Sequence, residues 1–273
     1  MRIMADRVLI GNCVVYALCA GSAVVWAVVI ARKARGRPPL EPIAAQPISW
    51  PAAPVCATFL VAFVLPDFIM QFVAWRFELP AGLSLIKVQW RCASLAAQAA
   101  AIVGLMAIAG PLKKDEFGVQ FERWRGDLLV AVAGWLASFL PVFVARTWQG
   151  LLELHNPEGQ HVMLQLLESS SSGMILAWAI LSTVVAAPLV EELLYRVFLQ
   201  GWIQSQVAGW KAIVISSFVF VVQHSPYDWV ALMPLALILG YVYNRRRSYL
   251  AVVVLHAVFN GVMIALSLLA KKS

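Results

Sequence analysis

Charged residues are scarce in this chain of 273 residues, because Asp, Glu, Lys and Arg together make up only 13% of it. Soluble domains carry about 25%, so the composition excludes an ordinary soluble domain. Hydrophobic residues make up 62%, and they are concentrated in long runs. A membrane β-barrel would show alternating hydrophobicity instead, and only helices and closed barrels satisfy the backbone in lipid. The sequence therefore predicts an all-α, polytopic membrane helix bundle.

Cysteine is also sparse, with four residues in the whole chain. Cys13, Cys19, Cys56 and Cys92 lie in or beside apolar segments and form no Cys-x-x-Cys motif. This spacing excludes the disulfide framework of a small secreted protein. We interpret the four thiols as small buried hydrophobic groups.

About eight transmembrane segments are predicted from the apolar runs. They cover residues 8–30, 55–75, 92–112, 128–144, 174–199, 212–224, 229–243 and 250–269. A spanning helix needs about 20 residues, so the sixth and seventh segments are short. A tilt, an extension into the flanking residues or a position partly inside the protein would each account for this. The first is too long for the apolar core of a signal peptide and ends in Arg32 and Lys33, so we predict a retained anchor.

The net charge of +7 is interpreted as a membrane signature and not as a nucleic-acid-binding surface. If the segments alternate in direction, four groups of basic residues between them fall on one side. The positive-inside rule then places both termini outside the cytoplasm. The groups are Arg32, Lys33, Arg35 and Arg37; Lys113, Lys114, Arg123 and Arg125; Arg196 and Lys211; and Arg245, Arg246 and Arg247.

The two halves of the chain differ in character. Residues 1–150 form a four-segment N-terminal membrane region with few buried polar groups. A Pro-rich connector at 36–54 joins its first two segments. Residues 173–270 hold the other four segments and nearly all the candidate chemistry. A polar linker at 147–172 lies between them. We predict one integrated membrane domain with a catalytic core at 173–270.

Two adjacent glutamates lie within the fifth apolar segment, where ionisable groups cost roughly 2.5–3.5 kcal/mol each. Glu192 and Arg196 are spaced i,i+4 with the acid first, the favoured orientation for an ion pair. Glu191 is rotated by about 100° and meets Tyr195 instead. The spacing predicts one structural carboxylate and one catalytic carboxylate. A polar seam between helices is the alternative interpretation.

Two later segments carry a histidine each. Phe220 and His224 share one helix face, and Pro226 ends that helix just beyond them. His256 and Asn260 also share a face, and an Asn deep in an apolar helix must find partners. A helix cap for His224 and an interhelical contact for His256 and Asn260 are the alternatives.

A depth estimate brings these groups to a similar level. Measured from the turn near Gly209, Glu191 lies roughly 25 Å before it and His224 roughly 22 Å after it along antiparallel helices. His256 lies roughly 12 Å from Ser248. Helix tilt absorbs the remaining difference, so the estimate permits a single site.

Three ordered motifs, Glu-Glu-x-x-x-Arg, Phe-x-x-x-His and His-x-x-x-Asn, resemble those of the CPBP family. This family comprises type II CAAX prenyl endopeptidases, bacteriocin-processing and immunity proteases, and Abi proteins. The resemblance covers about residues 173–265 and implies peptide-bond hydrolysis inside the membrane. It implies a catalytic role for Glu191 and assigns the structural acid and arginine to Glu192 and Arg196. His224, His256 and Asn260 match the family's remaining site residues.

The residue types suit this chemistry. Glu191, helped by His224, would take a proton from water, and His256 and Asn260 would stabilise the oxyanion. Tyr195 and Phe220 would support the site. We favour this mechanism without a cofactor, because Asn260 suits an oxyanion donor better than a metal ligand. Zinc is the alternative, since Glu191, His224 and His256 make a His₂Glu ligand set.

The competing function is a non-catalytic membrane transporter or scaffold that uses the buried Glu, Arg and His residues. The chain shows no repeated hydropathy pattern or paired broken helices of the kind found in many transporters. We therefore expect an intramembrane endopeptidase acting on a membrane-associated protein or peptide. Its partners are that substrate and the lipid bilayer, and not nucleic acid. The expected location is a multi-pass position in the membrane, the plasma membrane in a bacterial host.

Overall fold

The computed structural model describes residues 2–43, 50–77, 85–109, 117–118, 121–152 and 173–270. Within these ranges every regular element is a helix, as predicted. The helices are α1 (Arg2–Ala34), α2 (Ala52–Arg76), α3 (Leu85–Ala109), α4 (Trp124–Leu151), α5 (Gly173–Ile203), α6 (Gly209–Val222), α7 (Trp229–Arg246) and α8 (Tyr249–Ala270). Short 3₁₀ turns, Phe121–Arg123 and Pro226–Asp228, precede α4 and α7. Most of the predicted 147–172 linker lies outside the described residues, and its first part belongs to α4.

Among the residues that the structure describes, six helices are long and apolar enough to cross a membrane. The protein is a multi-pass integral membrane protein. The six spans are Leu9–Ala34, Leu85–Ile108, Trp124–Leu151, Gly173–Ile203, Pro226–Arg246 and Tyr249–Leu269. The sixth predicted segment is short, as expected, because α6 has 14 residues. The seventh predicted segment extends into its flanks, one of the expected explanations for its shortness, because that span begins at Pro226 and has 21 residues.

Polarity is arranged as a lipid environment requires. Large apolar side chains such as Ile108, Leu129 and Trp75 point outward and are 86%, 74% and 73% exposed. In contrast, Glu192 and Arg196 are fully buried. The bundle therefore presents hydrocarbon to the bilayer and keeps its charges inside.

The loops that carry basic residues meet at one end of the bundle. The amide of Ile43 donates to the carbonyl of Arg245 at 2.8 Å, and the amide of Tyr249 donates to Gly118 at 3.0 Å. These contacts join the segment after α1, the segment before α4 and the turn after α7. The assignment of Arg196 to this basic side is wrong, because Arg196 lies within the α5 span and its side chain is fully buried. The orientation across the membrane stays a prediction.

Prolines within the helices are compensated by side chains from neighbouring helices. Pro66 in α2 and Pro141 in α4 each remove the N–H that would bind the carbonyl four residues earlier. Gln98 Nε2 in α3 donates to that carbonyl in α2 at 2.6 Å, and Trp26 Nε1 in α1 donates to the one in α4 at 2.9 Å. Helix kinks are tolerated in lipid when the freed carbonyls find such donors.

The core surrounds α5, which packs against α3, α6 and α8. Between Leu193 and Gln200 every side chain except Leu199 is buried, so α5 is enclosed on nearly all sides. Helix α4 packs against α1 but also against α7 and α8, so it connects the N-terminal helices to the core. The division at 1–150 and 173–270 stays a prediction.

Candidate active site

Helix α5 is continuous, but its hydrogen-bond register changes around the two glutamates. It is α-helical over Ala187–Glu192 and π-helical on either side, over Leu181–Ala186 and Leu193–Gln200. Short π-helical turns are uncommon and occur frequently at functional sites. The glutamates therefore lie on a single regular segment between two widened turns.

Pro188 explains how the first widened turn is held. The amide of Ala187 donates to the carbonyl of Ser182, five residues earlier. In the same register Pro188 would bind the carbonyl of Thr183, but proline has no N–H. Asn260 Nδ2 donates to that carbonyl at 2.9 Å. Asn260 therefore links α8 to α5 beside the glutamates.

The buried carboxylate of Glu192 is bound through both of its oxygens. Arg196 Nε donates to Oε2 at 3.1 Å, which confirms the predicted ion pair. His256 Nδ1 lies 2.8 Å from Oε1. This second contact joins α5 to α8, and i,i+4 spacing gives no sign of it. Since a carboxylate only accepts hydrogen bonds, the proton of this contact lies on His256 Nδ1.

The other carboxylate, Glu191, is accessible. Its side chain is 22% exposed, whereas that of Glu192 is 0% exposed. Glu191 Oε2 lies 3.9 Å from His256 Nε2, the second ring nitrogen of the same histidine. The imidazole thus lies between the two glutamates, bound to the buried one and facing the open one. The two carboxylates therefore have different surroundings, and the division into one structural and one catalytic carboxylate stays a prediction.

The ring of Phe220 lies among the other aromatic rings of the site. Its centroid lies 4.8 Å from the ring of His224, 5.8 Å from that of His256 and 5.2 Å from that of Tyr195. The guanidinium of Arg196 lies 5.2 Å from the same centroid. The predicted supporting residues, Tyr195 and Phe220, therefore pack directly against the charged cluster.

His224 is nearby but not in contact with the carboxylates. Its Nδ1 lies 2.9 Å from the carbonyl of Phe220, and its own carbonyl accepts from Trp229 Nε1 at 3.0 Å. Within the described part of the chain it forms no hydrogen bond with Glu191. Because a carbonyl requires a donor, Nδ1 carries the proton and Nε2 is left as an acceptor.

The predicted zinc ligands do not converge. Among residues 2–43, 50–77, 85–109, 117–118, 121–152 and 173–270, no three His, Cys, Asp or Glu side chains are grouped as metal ligands. The ring of Phe220 lies near both histidines, with its centroid 4.8 Å from that of His224 and 5.8 Å from that of His256. The geometry gives no step through a metal, and the preference for chemistry without a cofactor stays a prediction.

Several site residues were missed by sequence reasoning. Gln200 and Ser216 are both fully buried and extend the network beyond Arg196. Gln200 follows Arg196 by four residues, as Arg196 follows Glu192, so the periodicity of α5 carried a signal. Pro188 also gave one, because a proline inside an apolar helix leaves a carbonyl of the preceding turn that requires a compensating donor.

Residues 173–262 match the family model described as Type II CAAX prenyl endopeptidase Rce1-like. They form an Rce1-like domain of the CPBP family. The domain includes α5, α6 and α7 and the part of α8 that carries His256 and Asn260. All eight predicted site residues therefore lie in the Rce1-like domain, and α1 to α4 lie outside it.

One relative comes from a bacterium. The chain is 28% identical over 146 residues to UPF0177 protein YaiF of Lactococcus lactis subsp. lactis (strain IL1403). The alignment covers 52% of this chain and 64% of that protein, which is less than two thirds of the relative's length. No solved structure matches the chain significantly.

Proposed function

We propose that the chain is an intramembrane endopeptidase that hydrolyses a peptide bond of a membrane-associated protein or peptide. The observation that carries this proposal is the partly exposed carboxylate of Glu191, 3.9 Å from a histidine nitrogen whose ring is fixed by a buried glutamate. The Rce1-like domain supports the same activity, because the matching family consists of CAAX prenyl endopeptidases. Because Glu191 lies within the span Gly173–Ile203, the scissile bond must reach membrane depth.

In the proposed reaction Glu191 accepts a proton from a water molecule, and the resulting hydroxide attacks the scissile carbonyl carbon. The carbonyl oxygen becomes an oxyanion, and the C–N bond breaks as the proton passes from Glu191 to the leaving amine. General-base catalysis by such a group contributes typically 10²–10⁴-fold. Glu191 suits this role because its carboxylate is the accessible one.

His256 and Asn260 are proposed to stabilise the oxyanion. His256 donates through Nε2 when the ring carries both protons, and Glu192 already binds Nδ1. One amide N–H of Asn260 binds Thr183 and fixes the plane of the side chain. Its second N–H is the proposed oxyanion donor. Each donor is expected to contribute roughly 10²–10³-fold.

His224 is proposed to assist at the water-binding side of the site. Its Nδ1 is bound to the helix backbone, so Nε2 is the nitrogen available to orient water. Its ring packs against that of Phe220, with 4.8 Å between the centroids. We expect His224→Ala to lower kcat less than Glu191→Gln does.

A census of protein termini in membranes tests the activity. Cells carry wild type, Glu191→Gln or, as a matched control on the same chain, the exposed Glu122→Gln, at equal expression. Termini present with wild type and Glu122→Gln but missing with Glu191→Gln would support proteolysis and identify the substrate. Identical termini in all three would refute the proposal and favour the transporter or scaffold.

A further inference from the structure

We propose that Gln200 is a positioning residue for this reaction, acting through Ser216 and Arg196 on the Glu192 carboxylate that holds His256. The inference rests on the proposed function and concerns residues outside the three predicted motifs. Its basis is a continuous chain of hydrogen bonds that begins at the backbone of α7 and ends at the imidazole.

Gln200 is anchored at its amide nitrogen. The side chain is fully buried, and Nε2 donates to the carbonyl of Gly240 in α7 at 2.7 Å. Gly240 permits this approach, because a Cβ there would lie 3.1 Å from Gln200 Oε1 and 3.0 Å from Ile213 Cγ2. The carbonyl accepts only a donor, so it fixes which end of the amide is Nε2.

The anchored amide orients Ser216. Gln200 Oε1 accepts from Ser216 Oγ at 3.1 Å, and the hydroxyl oxygen lies 3.4 Å from Arg196 Nη1. A hydroxyl has one proton. When that proton points to Gln200, the oxygen lone pairs face the guanidinium. The carbonyl of Ile213, also 3.1 Å from Oγ, competes for the proton. The contact with Gln200 therefore determines whether the Ser216 hydroxyl oxygen can accept a hydrogen bond from Arg196.

Arg196 depends on this acceptor. Its Nε binds Glu192 at 3.1 Å, and its Nη2 has no hydrogen-bond partner within the described part of the chain. The guanidinium is thus held by Glu192 and Ser216, with the face of Phe220 packed against it. If the Ser216 contact is lost, the plane of the guanidinium can turn.

The last step leads to the reacting groups. Glu192 uses one oxygen for Arg196 and the other for His256, so a turn of the guanidinium rotates the carboxylate and releases the ring. The Nε2 atom of His256 would then leave its place beside Glu191. Outer residues that orient a metal-ligating histidine typically contribute 10–100-fold to affinity or activity, and we expect an effect of the same order for a histidine held by Glu192.

Paired variants of the purified full chain test the proposal with a peptide substrate from the terminal census. Gln200→Leu and Ser216→Ala are expected to lower kcat by about 10–100-fold with KM changed less than about threefold. Ser216→Thr keeps the hydroxyl and should recover most of the rate. Gln204→Leu is the matched control, because Gln204 lies one turn further along and pairs with Asn244 instead. Assays are run well below each variant's melting temperature.

Nitrogen-15 NMR of the histidines provides a readout that does not need a substrate. The Nδ1 and Nε2 signals of His256 are assigned by their absence from the spectrum of His256→Gln. They should shift in Gln200→Leu and stay unchanged in Gln204→Leu. Equal kcat for these two variants, or unchanged His256 signals in Gln200→Leu, would overturn the positioning role. A chain that cleaves no substrate but shows the shift would overturn the proposed function and keep the relay.

Discussion

His256 is bound by Glu192, not by Glu191, although the two glutamates are adjacent. Its Nδ1 lies 2.8 Å from Glu192 Oε1, while its Nε2 lies 3.9 Å from Glu191 Oε2. One imidazole therefore contacts a fully buried carboxylate and faces a partly exposed one. This geometry separates the carboxylate that holds the ring from the carboxylate that is proposed to react with water.

Replacing each glutamate by glutamine should give two different defects. Glu191→Gln removes the proposed base and should lower kcat at least about 100-fold with little change in stability. Glu192→Gln leaves the Arg196 charge buried without its counterion, and breaking a buried pair in this way costs about 3–5 kcal/mol. Thermal unfolding in detergent and peptide cleavage, measured on the same preparations, check both results.

Glutamine matches glutamate in size, so neither substitution changes the shape of the side chain. Any difference in stability between the two variants therefore reports charge and hydrogen bonding. A strongly destabilised Glu191→Gln beside a stable Glu192→Gln would contradict the assignment of the buried partner.

Asn260 should have a structural role that can be separated from its proposed catalytic one. Asn260→Leu leaves the carbonyl of Thr183 without its donor and should cost about 1–3 kcal/mol of stability. Pro188→Ala supplies a backbone N–H in the register that ends at Thr183. In the Pro188→Ala background, Asn260→Leu should therefore cost much less stability. Thermal unfolding of the four proteins in this double-mutant cycle measures the coupling.

Cleavage by the same four proteins distinguishes the two roles. If Asn260 also stabilises the oxyanion, adding Pro188→Ala to Asn260→Leu should restore the lost stability but not the lost kcat. Recovery of kcat together with stability would show that Asn260 acts only as an interhelical donor.

Local sequence spacing predicted contacts within one helix but not contacts between two helices. The pair formed by Glu192 and Arg196 follows from i,i+4 spacing on α5, and eight apolar runs predicted eight helices. The contact of Glu192 with His256 crosses 64 residues, and no helical period encodes it. Arg196 was counted with the basic loops although it lies near the end of the fifth predicted segment, where spacing alone does not mark the last buried residue. The first π-helical stretch, Leu181–Ala186, is contacted by Asn260, which lies on another helix.

Activity should survive removal of divalent metal ions. The predicted ligands Glu191, His224 and His256 do not converge, so glutamate chemistry without a cofactor predicts unchanged kcat after dialysis against a strong chelator. Metal analysis of the active protein, together with zinc added back after dialysis, completes the test. Stoichiometric zinc that leaves together with activity, and restores it when returned, would establish the metal mechanism instead.

Asp127 should stabilise the end of α7 and the start of α8, the helix that carries His256. Its carboxylate is buried and accepts from Arg246 Nη2 at 2.8 Å and from Ser248 Oγ at 2.8 Å. Asp127→Ala leaves two donors without their acceptor and should cost roughly 2–4 kcal/mol. Thermal unfolding in detergent measures this loss.

The ion pair of Arg146 with Asp228 provides the matched control, because it also joins α4 to the α7 region. The Arg146 side chain is 48% exposed, against 1% for Asp127. Solvent-exposed pairs contribute about 0–1 kcal/mol, so Arg146→Ala should change stability little. An Asp127→Ala variant no less stable than Arg146→Ala would mean that the buried carboxylate does not hold α8.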